Sequence, residues 1–326
     1  MKHLFVILLS LYAQSVFAGH GGYIGSHDNR SYGSLEEPEY NGIVKLTVGR
    51  GGRCTGGFVS KNLVLTNDHC AVKCKDGCSA EFWNGSGYEQ SNLKVVLYRP
   101  EFDAFNGTDW ALLLSDKENN NYISVSPSTS PGRVQRGGFG TLRIIADDEI
   151  PFLKNLYAQT IKEHPECKTK EGRTDIPCIN RIVDKKLKSM GKRPLLGDAD
   201  NFKVQTCSIV SNMAQSNNMV KTDCDSAGGD SGAPLLRGRV IVGLNNSGNQ
   251  QIFGKEEVLN ANAVKTENFY KYVQSTSKKY EYVTPSITNI LEQKPNNNTQ
   301  PVETPNEDEQ KIQQMLEQRL QEFDCD

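Results

Sequence analysis

Long hydrophobic runs are missing from this chain of 326 residues. Beyond a short apolar start, no stretch approaches the ~20 apolar residues that a membrane-spanning helix needs, so no transmembrane segment is expected. An excess of either charge is missing too. Lys and Arg number 37 against 39 Asp and Glu, a formal net charge of −2. That balance suggests neither a nucleic acid nor an anionic membrane as partner. Apolar residues make up only 37%, while glycine (29 residues) and asparagine are plentiful. This composition suits an all-β protein with many turns and some polar chain. No cysteine precedes Cys54, so a lipidated N-terminal cysteine is not expected.

Met1-Lys2-His3 is a short basic start, Leu4 to Leu11 is apolar apart from Ser10, and Val16-Phe17-Ala18 offers small residues where a signal peptidase reads. Residues 1–18 therefore read as a signal peptide, and the mature chain is expected to be secreted or periplasmic. Nine cysteines follow, at 54, 70, 74, 78, 167, 178, 207, 224 and 325. In an exported chain the default is disulfides. The alternative, metal binding by Cys70, Cys74 and Cys78, lacks a matching second ligand pair, so neither metal nor cofactor is expected.

Strand signals run through 42–48, 57–59, 63–66, 93–98 and 110–114, then 202–210 and a hairpin over 235–244 around Arg237-Gly238. Residues 19–34 form a Gly-rich, polar N-terminal segment open to processing. The boundaries expected after it are a first barrel over 35–116, a connection over 117–135 and a second barrel over 136–275. The second barrel carries an insertion at about 146–200. There Ile150, Leu153, Tyr157 and Ile161 follow helical spacing behind Pro151, and Arg181 to Arg193 is strongly basic. A polar linker is expected over 276–304. A tail helix over 305–326 would start at a capping box with Pro305 and present Ile312, Met315, Leu316, Leu320 and Phe323 on one face. Cys325, the odd cysteine, could lock a dimer there.

Three segments carry chemistry. Leu65-Thr66-Asn67-Asp68-His69-Cys70 supplies a histidine after an apolar strand. Asp109-Trp110-Ala111-Leu112-Leu113 supplies an aspartate before one. Gly228-Gly229-Asp230-Ser231-Gly232 supplies a glycine-flanked serine. A nucleophile, a base and a carboxylate to orient the base are what acyl transfer by serine needs. Of five histidines, only His69 follows an apolar strand and abuts a cysteine. An imidazole can take and return a proton near neutral pH.

The order His, Asp, Ser resembles that of the chymotrypsin/trypsin-like serine peptidases. Tyr23 to Arg30, with Cys224-Asp225-Ser226, is similar to the bacterial glutamyl-endopeptidase-like branch. The resemblance implies two six-stranded antiparallel β-barrels, with His69, Asp109 and Ser231 as catalytic groups between them. It implies an oxyanion hole from the N–H groups of Gly229 and Ser231. It implies pairing of Cys54 with Cys70, beside the histidine. Pairs Cys207–Cys224, Cys167–Cys178 and Cys74–Cys78 are expected with it. Asn67-Asp68 replace the small residues usual before the histidine.

For substrate binding the resemblance points to Asp225, Asn245 and Asn246. The glutamyl-specific histidine is replaced by Asn245, so glutamate preference is not implied. Asp225, six residues before Ser231, could floor a pocket for Arg or Lys, or could turn away into the Cys224 turn. Asp230 could receive a new N-terminal amine, as in trypsin-like zymogens, or be satisfied locally. The expected function is a secreted serine endopeptidase acting on proteins or peptides. The alternative is an inactive binding protein on the same fold.

Overall fold

The computed structural model describes residues 27–49, 51–98, 107–168, 174–213, 216–247 and 261–280. The signal peptide, the tail helix, Cys325 and the contacts expected of them lie outside these residues.

Two closed six-stranded barrels make the body. The first joins β2 (Ile43–Val48), β3 (Gly52–Ser60), β4 (Leu63–Thr66), β5 (Cys78–Trp83), β6 (Tyr88–Tyr98) and β7 (Ala111–Ser115) in the order β2-β3-β4-β7-β6-β5. The second runs β9-β10-β11-β14-β13-β12 and closes through β10 on β9. Its strands are β9 (Gly132–Gly138), β10 (Lys203–Met213), β11 (Ser216–Thr222), β12 (Pro234–Arg237), β13 (Val240–Ser247) and β14 (Ala261–Val264). Both rings are antiparallel throughout. Two short strands hang on the second barrel: β1 (Ser31–Tyr32) on β10, and β8 (Ser124–Val125), which pairs with β13 in parallel. The connection expected over 117–135 thus contributes β8 and the start of β9.

Period-2 alternation explains why whole strands are apolar here. On β7, Ala111 and Leu113 point into the first barrel, while Leu112, like Trp110 before it, points into the layer between the barrels. On β4, Val64 faces inwards, and Leu63 and Leu65 face the second barrel. The inter-barrel layer also takes Phe139, Phe202, Leu236, Ile241, Leu244 and Val264, so each barrel buries one face of its strands against the other.

The insertion is more helical than its pattern suggested. Besides α1 (Ile150–Glu163) it holds α2 (Ile176–Ser189), tied to the end of α1 by Cys167–Cys178. Asp175 caps α2 by accepting from Cys178 N at 3.2 Å. The two helices share a small core of Ile150, Leu153, Tyr157, Ile179, Val183 and Leu187, which reaches Ala227 near the serine loop. The last helix, α3 (Tyr270–Tyr280), runs past the boundary expected at 275, and its end accepts from Asn62 Nδ2 at 3.1 Å.

The remaining disulfides are Cys54–Cys70, Cys74–Cys78 and Cys207–Cys224. Cys70, Cys74 and Cys78 are therefore all consumed in covalent bonds and are not thiolate ligands. Among the described residues no helix is long and apolar enough to cross a membrane.

Candidate active site

The pairing of β4 with β7 brings the first two groups together. Thr66 lies opposite Ala111 in the antiparallel register. The chain beyond Thr66 and the chain before Ala111 therefore emerge at the same rim, one carrying His69 and the other Asp109. His69 sits on a single helical turn, Asp68–Ala71, anchored by Cys70 to Cys54 on β3. Its Nδ1 lies 2.7 Å from Asp109 Oδ2, and its backbone N–H donates to Asp109 Oδ1 at 3.0 Å. Both carboxylate oxygens are thus taken by one residue, which fixes the ring's orientation. Asn67 adds a clamp: its Nδ2 donates to Asp109 O at 2.7 Å. The departure at Asn67 from the usual small residue therefore holds the aspartate rather than disturbing it.

Ser231 sits on the loop before β12. Gly229 (φ 99°) and Gly232 (φ 79°) take left-handed backbone angles on either side, which only glycine adopts without strain. Space demands glycine as well. A Cβ on Gly229 would lie 2.4 Å from Phe139 O, and one on Gly232 2.3 Å from Thr55 O and Thr66 Oγ1. The loop is thus pressed onto β3 and β4, beside the chain that leads to His69.

Thr55, one residue after Cys54, is the main fastener. Its N–H donates to Ser231 O at 2.8 Å, its hydroxyl donates to Gly229 O at 2.8 Å, and the same hydroxyl accepts from Phe139 N at 3.0 Å. No motif pointed to Thr55; only its place beside a cysteine marks it. From the second barrel, Gly232 N donates to Asn245 O at 2.9 Å, and Asn245 Nδ2 donates to Asp230 O at 2.9 Å. Asn245 therefore bolts the serine loop from behind. Asn246 beside it is buried.

Asp230 is fully buried and meets a side chain, Arg136 of β9, with Nη2 at 3.2 Å from Oδ2. Ala227 N donates to the same oxygen at 2.8 Å. Burial pulls the Arg136 guanidinium below its ordinary value, and the facing Asp230 partly offsets this. Asp230 thus has a positive partner within the sheet.

Asp225 is held by Asn29 and Gln205. It is 1% exposed, its Oδ2 accepts from Asn29 N at 2.8 Å and Asn29 Nδ2 at 3.2 Å, and its backbone is bonded at both groups to Gln205.

Two clusters of metal-binding residue types occur among the described residues, Cys54/His69/Cys70 and Cys207/Asp223/Cys224. In each, the two sulfurs are bonded to each other.

Double barrels with a histidine and an aspartate on one rim and a serine on a glycine-bounded loop define the chymotrypsin/trypsin-like class. The sequence model of the Trypsin family matches residues 33–175, a span that includes His69 and Asp109 and ends before Ser231. Among solved structures, neuropsin, a serine protease expressed in the limbic system of mouse brain, aligns with a TM-score of 0.51 at 13% identity. That alignment covers 78% of this chain and 99% of that one. A structure of Glu endopeptidase in complex with MPD aligns with a TM-score of 0.48 at 18% identity, covering 77% of this chain and 97% of that one. No curated protein matches. The chain has the chymotrypsin/trypsin-like serine peptidase fold.

Proposed function

We propose that this protein is an exported serine endopeptidase that cleaves peptide bonds through an acyl-enzyme. The observation that carries this reading is the 2.7 Å contact between His69 and Asp109 on the rim against which the Ser231 loop is packed. Ser231 Oγ attacks the scissile carbonyl while His69 Nε2 takes its proton. Asp109 orients the ring and stabilises the imidazolium. The tetrahedral oxyanion is received by the N–H groups of Gly229 and Ser231. His69 then gives the proton to the leaving amine. A water deprotonated by His69 attacks the acyl-enzyme, and the proton returns to Ser231 as the acid leaves. No metal or cofactor takes part, and the partners are protein or peptide substrates.

Export is supported by the signal-like start and by four disulfides, which persist in oxidising compartments. The Arg136–Asp230 pair supports competence without a freed N-terminal amine. The inward Asp225 argues against selection of Arg or Lys, because a carboxylate already holding two donors offers a substrate cation little.

Ser231→Ala and His69→Ala should each lower turnover of a peptide substrate by about 10⁴-fold or more, and the double variant should lose little beyond either single. Turnover retained by Ser231→Ala contradicts the reading. Asp225→Asn should leave the profile across a peptide library unchanged. A loss confined to Arg and Lys substrates would restore Asp225 as a pocket floor.

A further inference from the structure

The described chain begins with a segment that reaches both Asp225 and the 142–145 loop. Asp28, Asn29 and Arg30 lead into β1, whose Ser31 and Tyr32 pair with Val204 and Lys203 of β10. Arg30 is 4% exposed, and its ion pair with Asp28 (Nη2 to Oδ2, 2.8 Å) has both side chains at 0%. Arg30 Nε donates to Asp28 Oδ1 at 2.8 Å. The remaining contacts reach outwards to one loop. Arg30 Nη1 and Nη2 donate to Leu142 O at 3.3 Å and Arg143 O at 3.0 Å, and Asp28 Oδ2 accepts from Ile145 N at 2.8 Å. Between them, Asn29 grips Asp225 through its backbone and its side chain.

The two segments held in this way are the walls of the serine loop. The chain before Leu142 backs the two glycines that precede Asp230: Thr141 N donates to Gly228 O at 2.6 Å, and Phe139 O occupies the space beside Gly229. Asp225 lies on the other wall, in the approach to the same loop. A buried ion pair is weak evidence for stability, since well-packed apolar groups often do as well; its best-attested use is to fix one arrangement. Here the arrangement fixed is that of the backbone around the proposed oxyanion donors, whose placement decides how well developing charge is met.

We propose that Asp28, Asn29 and Arg30 are positioning residues for acyl transfer. They form an internal strap that holds the 142–145 loop and the Asp225 turn so that Gly229 N–H and Ser231 N–H stand correctly. The inference rests on the serine-peptidase reading. It requires that any processing of the N-terminal segment stop before Asp28.

The test uses the full chain with Asn29→Ala, Arg30→Lys, Arg30→Gln and the double variant Asp28→Asn/Arg30→Gln, which leaves no lone buried charge. Folded fraction is read by near-UV circular dichroism. Turnover of a small peptide ester, and the rate of Ser231 labelling by a fluorophosphonate, are read per folded molecule. The expected result is a fall in kcat of about tenfold or more for the double variant, with KM within about threefold and labelling slowed in parallel. Arg30→Lys should recover part of the loss. Asn29→Ala, the mildest change, should lower kcat by about threefold. If the double variant does not fold, Asn29→Ala decides alone. Wild-type kcat and labelling in folded Asn29→Ala, or in a folded double variant that melts earlier, would reduce the strap to a stability element and overturn the proposal. A wild type that does not label fails the serine-peptidase reading instead, and the strap role falls with it.

Discussion

The two halves of the site are held by different physics. On the first-barrel side, His69 and Asp109 are placed by strand register, a disulfide and short-range amide contacts. Thr66 faces Ala111, Cys54 holds Cys70, and Asn67 clamps Asp109. On the second-barrel side, the Ser231 loop is surrounded by buried charge from remote segments: Asp28 and Arg30 from the N-terminal strap, Arg136 from β9, and Lys203 from β10 with Asp198. Covalent and backbone constraints leave the first half little freedom. The second half adds to its hydrogen bonds from Thr55 and Asn245 a set of buried charges that depend on their partners, so it should be the half that charge-changing substitutions and acid disturb first.

The largest expected effect comes from the Arg136–Asp230 pair, because removing one member strands the other in the interior. Arg136→Met and Asp230→Asn should each destabilise by about 3–5 kcal/mol in urea unfolding. Combining them should cost less than the sum. If either single variant unfolds like wild type, buried charge does not hold this half, and the contrast drawn between the halves fails.

How much of each half can be read from the chain follows from the same contrast. An apolar strand ending at Thr66, a histidine three residues later and a cysteine beside it are contiguous, as are Asp109 and the strand after it. These elements read directly. Strand β5 (Cys78–Trp83) alternates regularly, with Cys78, Ala80 and Phe82 buried, but it escaped because two of those three inward residues are the small Cys78 and Ala80. Helix α2 escaped because four lysines and arginines, Arg181, Lys185, Lys186 and Lys188, mask Ile179, Val183 and Leu187 at helical spacing. Arg136, Thr55 and Arg30 escaped for a deeper reason. Arg136 and Thr55 meet Asp230 and Gly229 94 and 174 residues away, and Arg30, beside its ion-pair partner Asp28, reaches Leu142 112 residues away; periodicity registers burial of apolar side chains, not of charged or hydroxyl ones. Asp225 stands at an offset that suits a pocket floor, but an offset does not say which way a carboxylate turns.

A smaller effect should appear in acid. Burial alone would raise Asp198, but Asn201, Lys203 and Tyr32 outweigh it and hold the carboxyl below its ordinary value. The folded state therefore binds this proton less readily than the unfolded chain. The stabilisation is complete above the ordinary carboxylate range near pH 4 and is lost as pH falls through the lower folded value. Urea midpoints measured from pH 6 to pH 2.5 should fall more steeply in wild type than in Asp198→Asn. Parallel curves would remove Asp198 from the charges that hold this half.

The most direct test of the central claim is covalent labelling of intact protein with a fluorophosphonate, read by mass and peptide mapping. The arrangement of His69, Asp109 and Ser231 predicts one adduct, on Ser231, in wild type. It predicts labelling slowed by orders of magnitude in His69→Ala and absent in Ser231→Ala. An unlabelled wild type, or an adduct on another residue, would contradict it.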